Sequence, residues 1–483
     1  MTNTPRQLNR EAAAHFLRRL AFAATPSRLA AVRGLSPAEA LSRLVEESRS
    51  ATLPTLSGYE PEAWTNSALR LPNRSEAEQT ALQGARDEQH RSGIEQVRRW
   101  WIEEAVSGTA PLRENLTLCF ESTFGSSTQL VDVPHALYGR NATIRRHCLG
   151  TVPALLQDLV LDPAMMIQIG TDEHFRIRMS DRGAKLILDH WTVGKGSYEN
   201  ADVENLSKAL TGWRLESSPS RASRLEVDPS APRPDRRTGL TPIFDEKQFD
   251  ARPKTLLGTT GAFDARSALR HLALHPATAR RWSALLGQHL GVEKPSAALS
   301  ERLASAYEST GGEIVALLDV IVTSDEFWAP ENRWNLIKSP LHLVAGACQQ
   351  LEIAPPPTAE ISRWLEAAGQ VLFDTPNGGE GGWPGAEDWV SSSRLAVRYQ
   401  LPDVLAGRPP SLGIRGPQAR DSTRREVPLP ESLRNASAAE LRARLDPAPG
   451  LDVGILDQAA QQTSNPASAA ARRILQSPEY QLA

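Results

Sequence analysis

The 483-residue sequence is poor in the features by which many proteins declare their chemistry. It has three cysteines, Cys119, Cys148 and Cys348, which cannot all pair and show no C-x-x-C spacing. Buried free thiols are therefore expected rather than a zinc site or a disulfide framework. No run of about 18 apolar residues occurs, so no membrane-spanning helix is expected. Charges break up the apolar residues of the N-terminal stretch that contains Arg6, Arg10, Glu11, Arg18 and Arg19, which leaves no secretory core. Together these absences point to a cytoplasmic protein. The net charge is only −3, without the basic excess that binding to nucleic acid or a membrane surface requires. A Gly-x-Ser-x-Gly elbow is missing, and the glycine-rich run Gly378–Gly385 lacks the Lys and Ser/Thr of a phosphate loop, so it reads as a turn. No internal repeat with a period of roughly 20–50 residues is found, which argues against a solenoid.

What is present is helical periodicity over most of the chain. Apolar residues make up 40% and charged residues 23% of the sequence, values typical of a globular protein able to bury a sizeable core. Ala13, Phe16, Leu17 and Leu20 share one face of a helix. Thr25-Pro26 and Ser36-Pro37 each set a capping residue before a proline and so start two more. Ile94, Val97, Trp101 and Ala105 form an apolar stripe, as do Leu116, Cys119, Phe120 and Phe124 in the helix that starts at Pro111. The expected fold is mainly α, a large multi-helix, bundle-like body with long polar loop insertions and very little strand. Residues 1–403 read as a single helical body, interrupted by a polar insertion at 51–93 and a long loop or disordered insertion at 214–253. A linker at 404–436 leads to a C-terminal helical segment, 437–483, that packs on the body.

The densest concentration of charge and aromatic character lies between Asp162 and Trp213. Ser180 suits an N-cap, and a helix from Asp181 to about Val193 turns Ala184, Ile187, Leu188 and Trp191 to one side. Asp181, Lys185 and Asp189 follow at i, i+4 and i+8 on the other. They are either an ordinary solvated charge ladder or part of a site. His190 and His174 flank this helix as candidate acids or bases. His271 and His275 are also four residues apart, but no glutamate sits between them as a metalloprotease motif needs, and His275 before Pro276 reads as a helix-end residue. Arg18, Arg19, Arg113, Arg145 and Arg146 sit on helix faces, where they either pair with Glu114 or Asp162 or line an anion pocket.

These pieces carry a resemblance. His15-Phe16-Leu17-Arg18-Arg19, Pro111-Leu112-Arg113-Glu114, Asp162-Pro163-Ala164-Met165, Thr192-Val193-Gly194, Thr211-Gly212-Trp213, Lys254-Thr255-Leu256-Leu257-Gly258, Lys338-Ser339-Pro340, Gly382-Trp383-Pro384-Gly385 and Ser477-Pro478-Glu479-Tyr480 occur in the order found in the bacterial family called Domain of Unknown Function 1800. Each motif alone is weak, and together they span nearly the whole chain. The resemblance implies a largely helical fold, no established activity, and a partner from the sulfatase-like Domain of Unknown Function 1501 family.

The chain also departs from the family pattern. Where the family carries an Asn-Glu-Asn element, an Ala-Arg-Glu-Leu helix and a further Glu, this sequence has Ser180-Asp181-Arg182, Ala184-Lys185-Leu186 and Asp189. Where a His-Asp pair is common, it has Phe249-Asp250. Two functions are therefore expected in competition. In the first, the protein is a non-catalytic helical scaffold or partner subunit of a bacterial assembly, acting by protein–protein interaction, with a degenerate site and no cofactor. In the second, it is a metal-assisted hydrolase that uses Asp181, Asp189, His190 and Asp250 around a divalent metal, with Arg19 and Arg113 as anion contacts.

Overall fold

The computed structural model describes residues 4–57, 75–170, 181–217, 240–356, 358–376, 381–383, 385–408, 410, 426–461 and 463–483. Ser180 and His174 lie outside the described residues. So do 218–239 of the long insertion, 58–74 of the polar insertion, 377–380 and 384 of the glycine-rich turn, and 411–425 of the linker. The fold is mainly α, with two short antiparallel strand pairs among the described residues.

The chain opens with α1 (Arg10–Leu20), α2 (Pro26–Val32) and α3 (Pro37–Ser50). Asn9, Thr25 and Ser36 each accept a first-turn backbone N–H, and Pro26 and Pro37 take the first helical position, where no N–H is needed. Next come α4 (Glu76–Ser107), α5 (Pro111–Phe124), α6 (Pro134–His147), α7 (Val152–Val160) and α8 (Pro163–Gln168). Helix α9 (Asp181–Leu186) passes directly into a π-turn (Ile187–Trp191), followed by α10 (Asn200–Ala209). Strands β1 (Trp213–Ser217) and β2 (Leu240–Phe244) form one antiparallel pair, and β3 (Lys254–Leu256) and β4 (Thr259–Gly261) the other. The chain continues through α11 (Ala265–Ala273), α12 (Pro276–His289), α13 (Ala297–Thr310), α14 (Ile314–Val322), α15 (Pro340–Leu351) and α16 (Thr358–Ala367). It finishes with α17 (Ser392–Arg398), α18 (Leu401–Leu405), α19 (Ala438–Leu445), α20 (Val453–Gln461) and α21 (Pro466–Leu475). Among the described residues, no helix is long and apolar enough to cross a membrane.

Apolar side chains collect into two cores that interleave along the chain. One joins α1 and α3 to the segment from Leu112 to Trp328. The other joins Phe22, α4 and the start of α6 to buried apolar residues between Leu341 and Tyr480, with Leu441, Leu445 and Ile474 of the C-terminal helices as members. Helix α5 runs between them. It sends Leu116, Cys119, Phe120 and Phe124 into the first core and Leu118 into the second. A helix buried on nearly every side must satisfy its polar residues internally. Glu114 accepts from Arg145 at 3.0 and 2.5 Å, and Glu121 accepts from Arg140 and, at 2.8 Å, from Asn141. The three cysteines are free and buried.

Several sequence expectations change in detail. Residues 214–253 are not simply a loop, because the two ends of the insertion pair as β1 and β2, Trp213 opposite Phe244 and Leu215 opposite Pro242. That pairing joins residues distant in sequence, so local periodicity could not show it. The end of the polar insertion at 51–93 and the apolar stripe from Ile94 belong to one 32-residue helix, Glu76–Ser107. The described side chains from Glu76 to Glu88 are exposed, and the apolar stripe begins at Ile94. The helix from Asp181 does not hold α geometry to Val193. The π-turn begins at Ile187 and takes Asp189 and His190 out of the i, i+4 ladder. His275 is a helix-end residue, as expected: its Nδ1 accepts from Ala277 N at 3.2 Å and caps α12.

Candidate functional site

A cavity of about 490 Å³ opens where α1, α5, the π-turn, α12, residues 336–342 and the glycine-rich segment meet. Its walls carry Arg18, Arg19, Arg281 and Lys338, the imidazoles of His190, His289 and His342, the amides of Asn115 and Gln370, and Trp383 and Trp389. Among the described residues, no Asp or Glu side chain lines it. Gly382 lets the glycine-rich segment lie directly against α5, since a Cβ there would run into the side chain and carbonyl of Ser122.

The basic groups differ in how they are held. Arg18 is bonded to Asp446 and stacks 3.5 Å over the Trp334 ring. Arg19, 2% exposed, donates from Nη2 to Asn332 O and Asn335 Oδ1, both at 2.6 Å. Its Nε and Nη1 have no hydrogen-bond partner. Burial first, and then neighbouring Arg18, lower the Arg19 guanidinium to about 9, and no carboxylate acts in the opposite direction. Lys338 is brought to about 7, first by burial and then by Arg18, with Asp446 opposing. Its Nζ donates to Tyr480 O at 2.9 Å.

Two of the imidazoles, His289 and His342, are kept neutral by burial. His289 Nε2 bonds Asn115 Oδ1 at 2.6 Å, and burial together with Arg19 lowers it to about 4. His342 is held well below its ordinary value by burial, then by Lys338, while the Phe22 carbonyl opposes.

The π-turn shapes the wall beside them. An α-to-π transition leaves carbonyls without their usual partners, and four of them are met here. Thr192 Oγ1 donates to Ile187 O at 2.8 Å, and Gly194 N to Leu188 O at 2.8 Å. Arg281 Nε donates to His190 O at 2.8 Å, and Trp282 Nε1 to Trp191 O at 3.1 Å. Helix α12 thus holds the turn that places His190 in the cavity wall.

Of the residues singled out in the sequence, Arg18, Arg19 and His190 meet in this cavity. Asp181 is exposed at the start of α9. Asp189 accepts from Tyr198 OH at 2.7 Å. Asp250 pairs with Arg252, whose hydrogen bonds hold its carboxyl well below the usual range. Arg113 donates to the carbonyls of Ser48, Ala51 and Thr52 at 3.0–3.1 Å and so closes the end of α3. Among the described residues, no group of three or more His, Cys, Asp or Glu is placed to hold a metal ion. Sequence reasoning passed over Asn115, Arg281, His289, Lys338, His342 and Gln370. Lys338 was quoted within Lys338-Ser339-Pro340, yet nothing local linked it to Arg19, more than 300 residues away.

Comparison with known proteins adds a family and nothing on activity. No curated protein and no solved structure matches the chain. A family described as a protein of unknown function (DUF1800) matches residues 15–482, nearly the whole sequence, and the chain belongs to that family.

Proposed function

We propose that this protein binds a small anionic molecule in the cavity between α1, α5, α12 and residues 336–342. The observation that carries the reading is the sign of the lining: three arginines, a lysine and three histidines with no acidic side chain among the described residues. Burying a cation without a counter-charge is costly, and Arg19 is in that position. An anion offsets the cost through charge-assisted hydrogen bonds. The cavity volume falls within the range of small-molecule sites, roughly 300–1,000 Å³. Leu118, Leu285, Ile337 and Trp383 supply apolar wall for an organic body.

The hydrolase expected around Asp181, Asp189, His190 and Asp250 gains no support, because Asp189 and Asp250 are engaged elsewhere and His190 faces a basic cavity. A partner-subunit role, beside a sulfatase-like protein or another, is compatible with ligand binding and is tested separately by affinity capture from the native host.

Isothermal titration with phosphate, sulfate and acetate, with neutral glycerol as control, tests the reading. Arg19→Met is expected to weaken anion binding at least about tenfold, since hydrogen bonds to charged groups contribute about 1.5–3 kcal/mol. Arg113→Met, remote from the cavity, is expected to lower the melting temperature and leave affinity alone. The reading fails if the wild-type protein takes up none of the three anions, or if Arg19→Met binds them equally well.

A further inference from the structure

Most polar atoms of the cavity walls that lack a protein partner are N–H donors: Arg18 Nε, Arg19 Nε and Nη1, Gln370 Nε2 and Trp389 Nε1. Gln370 is held that way round because its Oε1 accepts from Leu341 N at 2.8 Å. Donors drawn from several side chains suit a head group with several oxygens, such as a tetrahedral oxyanion.

His289 brings the opposite character. Its Nε2 lies 2.6 Å from Asn115 Oδ1, and the Asn115 amide is oriented by Nδ2, which donates to Ala21 O at 3.5 Å. An amide oxygen only accepts, so the ring proton is on Nε2 and Nδ1 carries a lone pair. Nδ1 has no hydrogen-bond partner among the described residues and, unlike the partnerless Nδ1 of His15, is not sealed from solvent. The half-buried ring ends α12 and lines the cavity. Arg19 lies beside it. Gly291 has a φ of +87°, and a Cβ there would come within 2.8 Å of Arg19 Cζ, so glycine lets the guanidinium rest against this helix end.

A ligand chosen by the donors turns oxygens toward the walls, and those oxygens repel a lone pair. What the lone pair can meet is the electron-poor atom that the oxygens surround. We infer that the cavity takes a phosphoryl compound and that Nδ1 of His289 attacks its phosphorus, forming a phosphohistidine that water then hydrolyses. The inference rests on the anion-binding reading above. In the first step an N–P bond forms, the P–O bond to the leaving group breaks, and its electron pair departs on the leaving oxygen, which takes any proton it needs from solvent. In the second, water forms a new P–O bond and gives up its proton to solvent, while the N–P electron pair returns to Nδ1 and inorganic phosphate leaves. Asn115 is the positioning residue: its Oδ1 holds Nε2–H, fixes the tautomer and steadies the positive charge that the ring gains in the first step.

The test incubates the full chain with acetyl phosphate, a mixed anhydride, and with phenyl phosphate, a monoester. An acid-labile phosphoryl group is mapped by peptide mass spectrometry and phosphate release is followed alongside, which catches an intermediate that turns over faster than it accumulates. A label on His289 and on no other histidine is expected. The monoester labelling the protein assigns phosphate esters as substrates, and the anhydride alone doing so assigns acyl phosphates. His289→Asn is expected to abolish both label and release. Asn115→Leu should slow them about tenfold or more, and Asn115→Asp, which still accepts from Nε2–H, should restore much of the rate. Phosphate binding with neither label nor release overturns the inference and leaves the anion reading standing. Binding of no anion overturns both. A label on another residue, or release that survives in His289→Asn, also overturns the inference. Should that variant fail to fold, the position of the label in the wild-type protein decides.

Discussion

Single residues settle which charges this protein tolerates inside. Asp162 caps α8, accepting from Ala164 N at 3.0 Å and from Thr143 Oγ1 at 3.2 Å. Burial raises its carboxyl to about 7, against the opposing effects of the Ala164 hydrogen bond and of Arg140. A pKa raised on folding means the native state holds a proton that the unfolded chain releases near pH 4. The resulting stabilisation is complete below that pH and is lost as pH rises through about 7. Asp162→Asn keeps an oxygen for Ala164 and carries no charge. Melts at pH 5 and pH 8 should show the variant gaining on the wild type at the higher pH, on the order of 2 kcal/mol. An identical difference at both values would count against a protonated Asp162. At this scale the sequence was only partly legible. Arg19 and Arg113 both read as arginines on helix faces, and periodicity does not say what lies opposite a face. Arg19 meets a cavity and Arg113 meets the open carbonyls of α3.

Elements were legible where their signals are local and hidden where a partner makes them. Ser36 with Glu39 forms a capping box at α3, and Pro26, Pro37 and Pro111 stand at first helical positions. The π-turn has no such signature, because it adds one residue per turn and relies on Thr192, Arg281 and Trp282 for its carbonyls. Thr192→Val keeps the shape of a fully buried side chain and removes the donor to Ile187 O. Denaturant unfolding should register a loss of about 1–2 kcal/mol. A loss indistinguishable from zero would mean the turn is held without that bond. Strands β1 and β2 were hidden for the related reason that their ladder joins two distant ends of one insertion.

At the scale of the whole molecule, the mainly α class followed from composition and periodicity, while the arrangement of two interleaved cores did not. Membership of a core is a matter of contact between distant segments, as when Phe22 joins the C-terminal half rather than its neighbours in α1. The cavity draws on both cores, through Cys119 on one side and Leu118 and Trp383 on the other. A ligand seated there touches both, so phosphate at a hundred times its dissociation constant should stabilise the whole fold by about 2.7 kcal/mol. Scanning calorimetry reads this as an upward shift of the main transition, and a ligand that shifts only part of the unfolding profile would contradict it. The π-turn gives this seam one more property. Because it holds a residue beyond the α-helical count, a one-residue deletion within 187–191 can be absorbed by relaxation to an ordinary turn, with α9 and α10 left in place. His190 would then swing to a new azimuth, so the cavity wall can be re-aimed by insertion and deletion as well as by substitution.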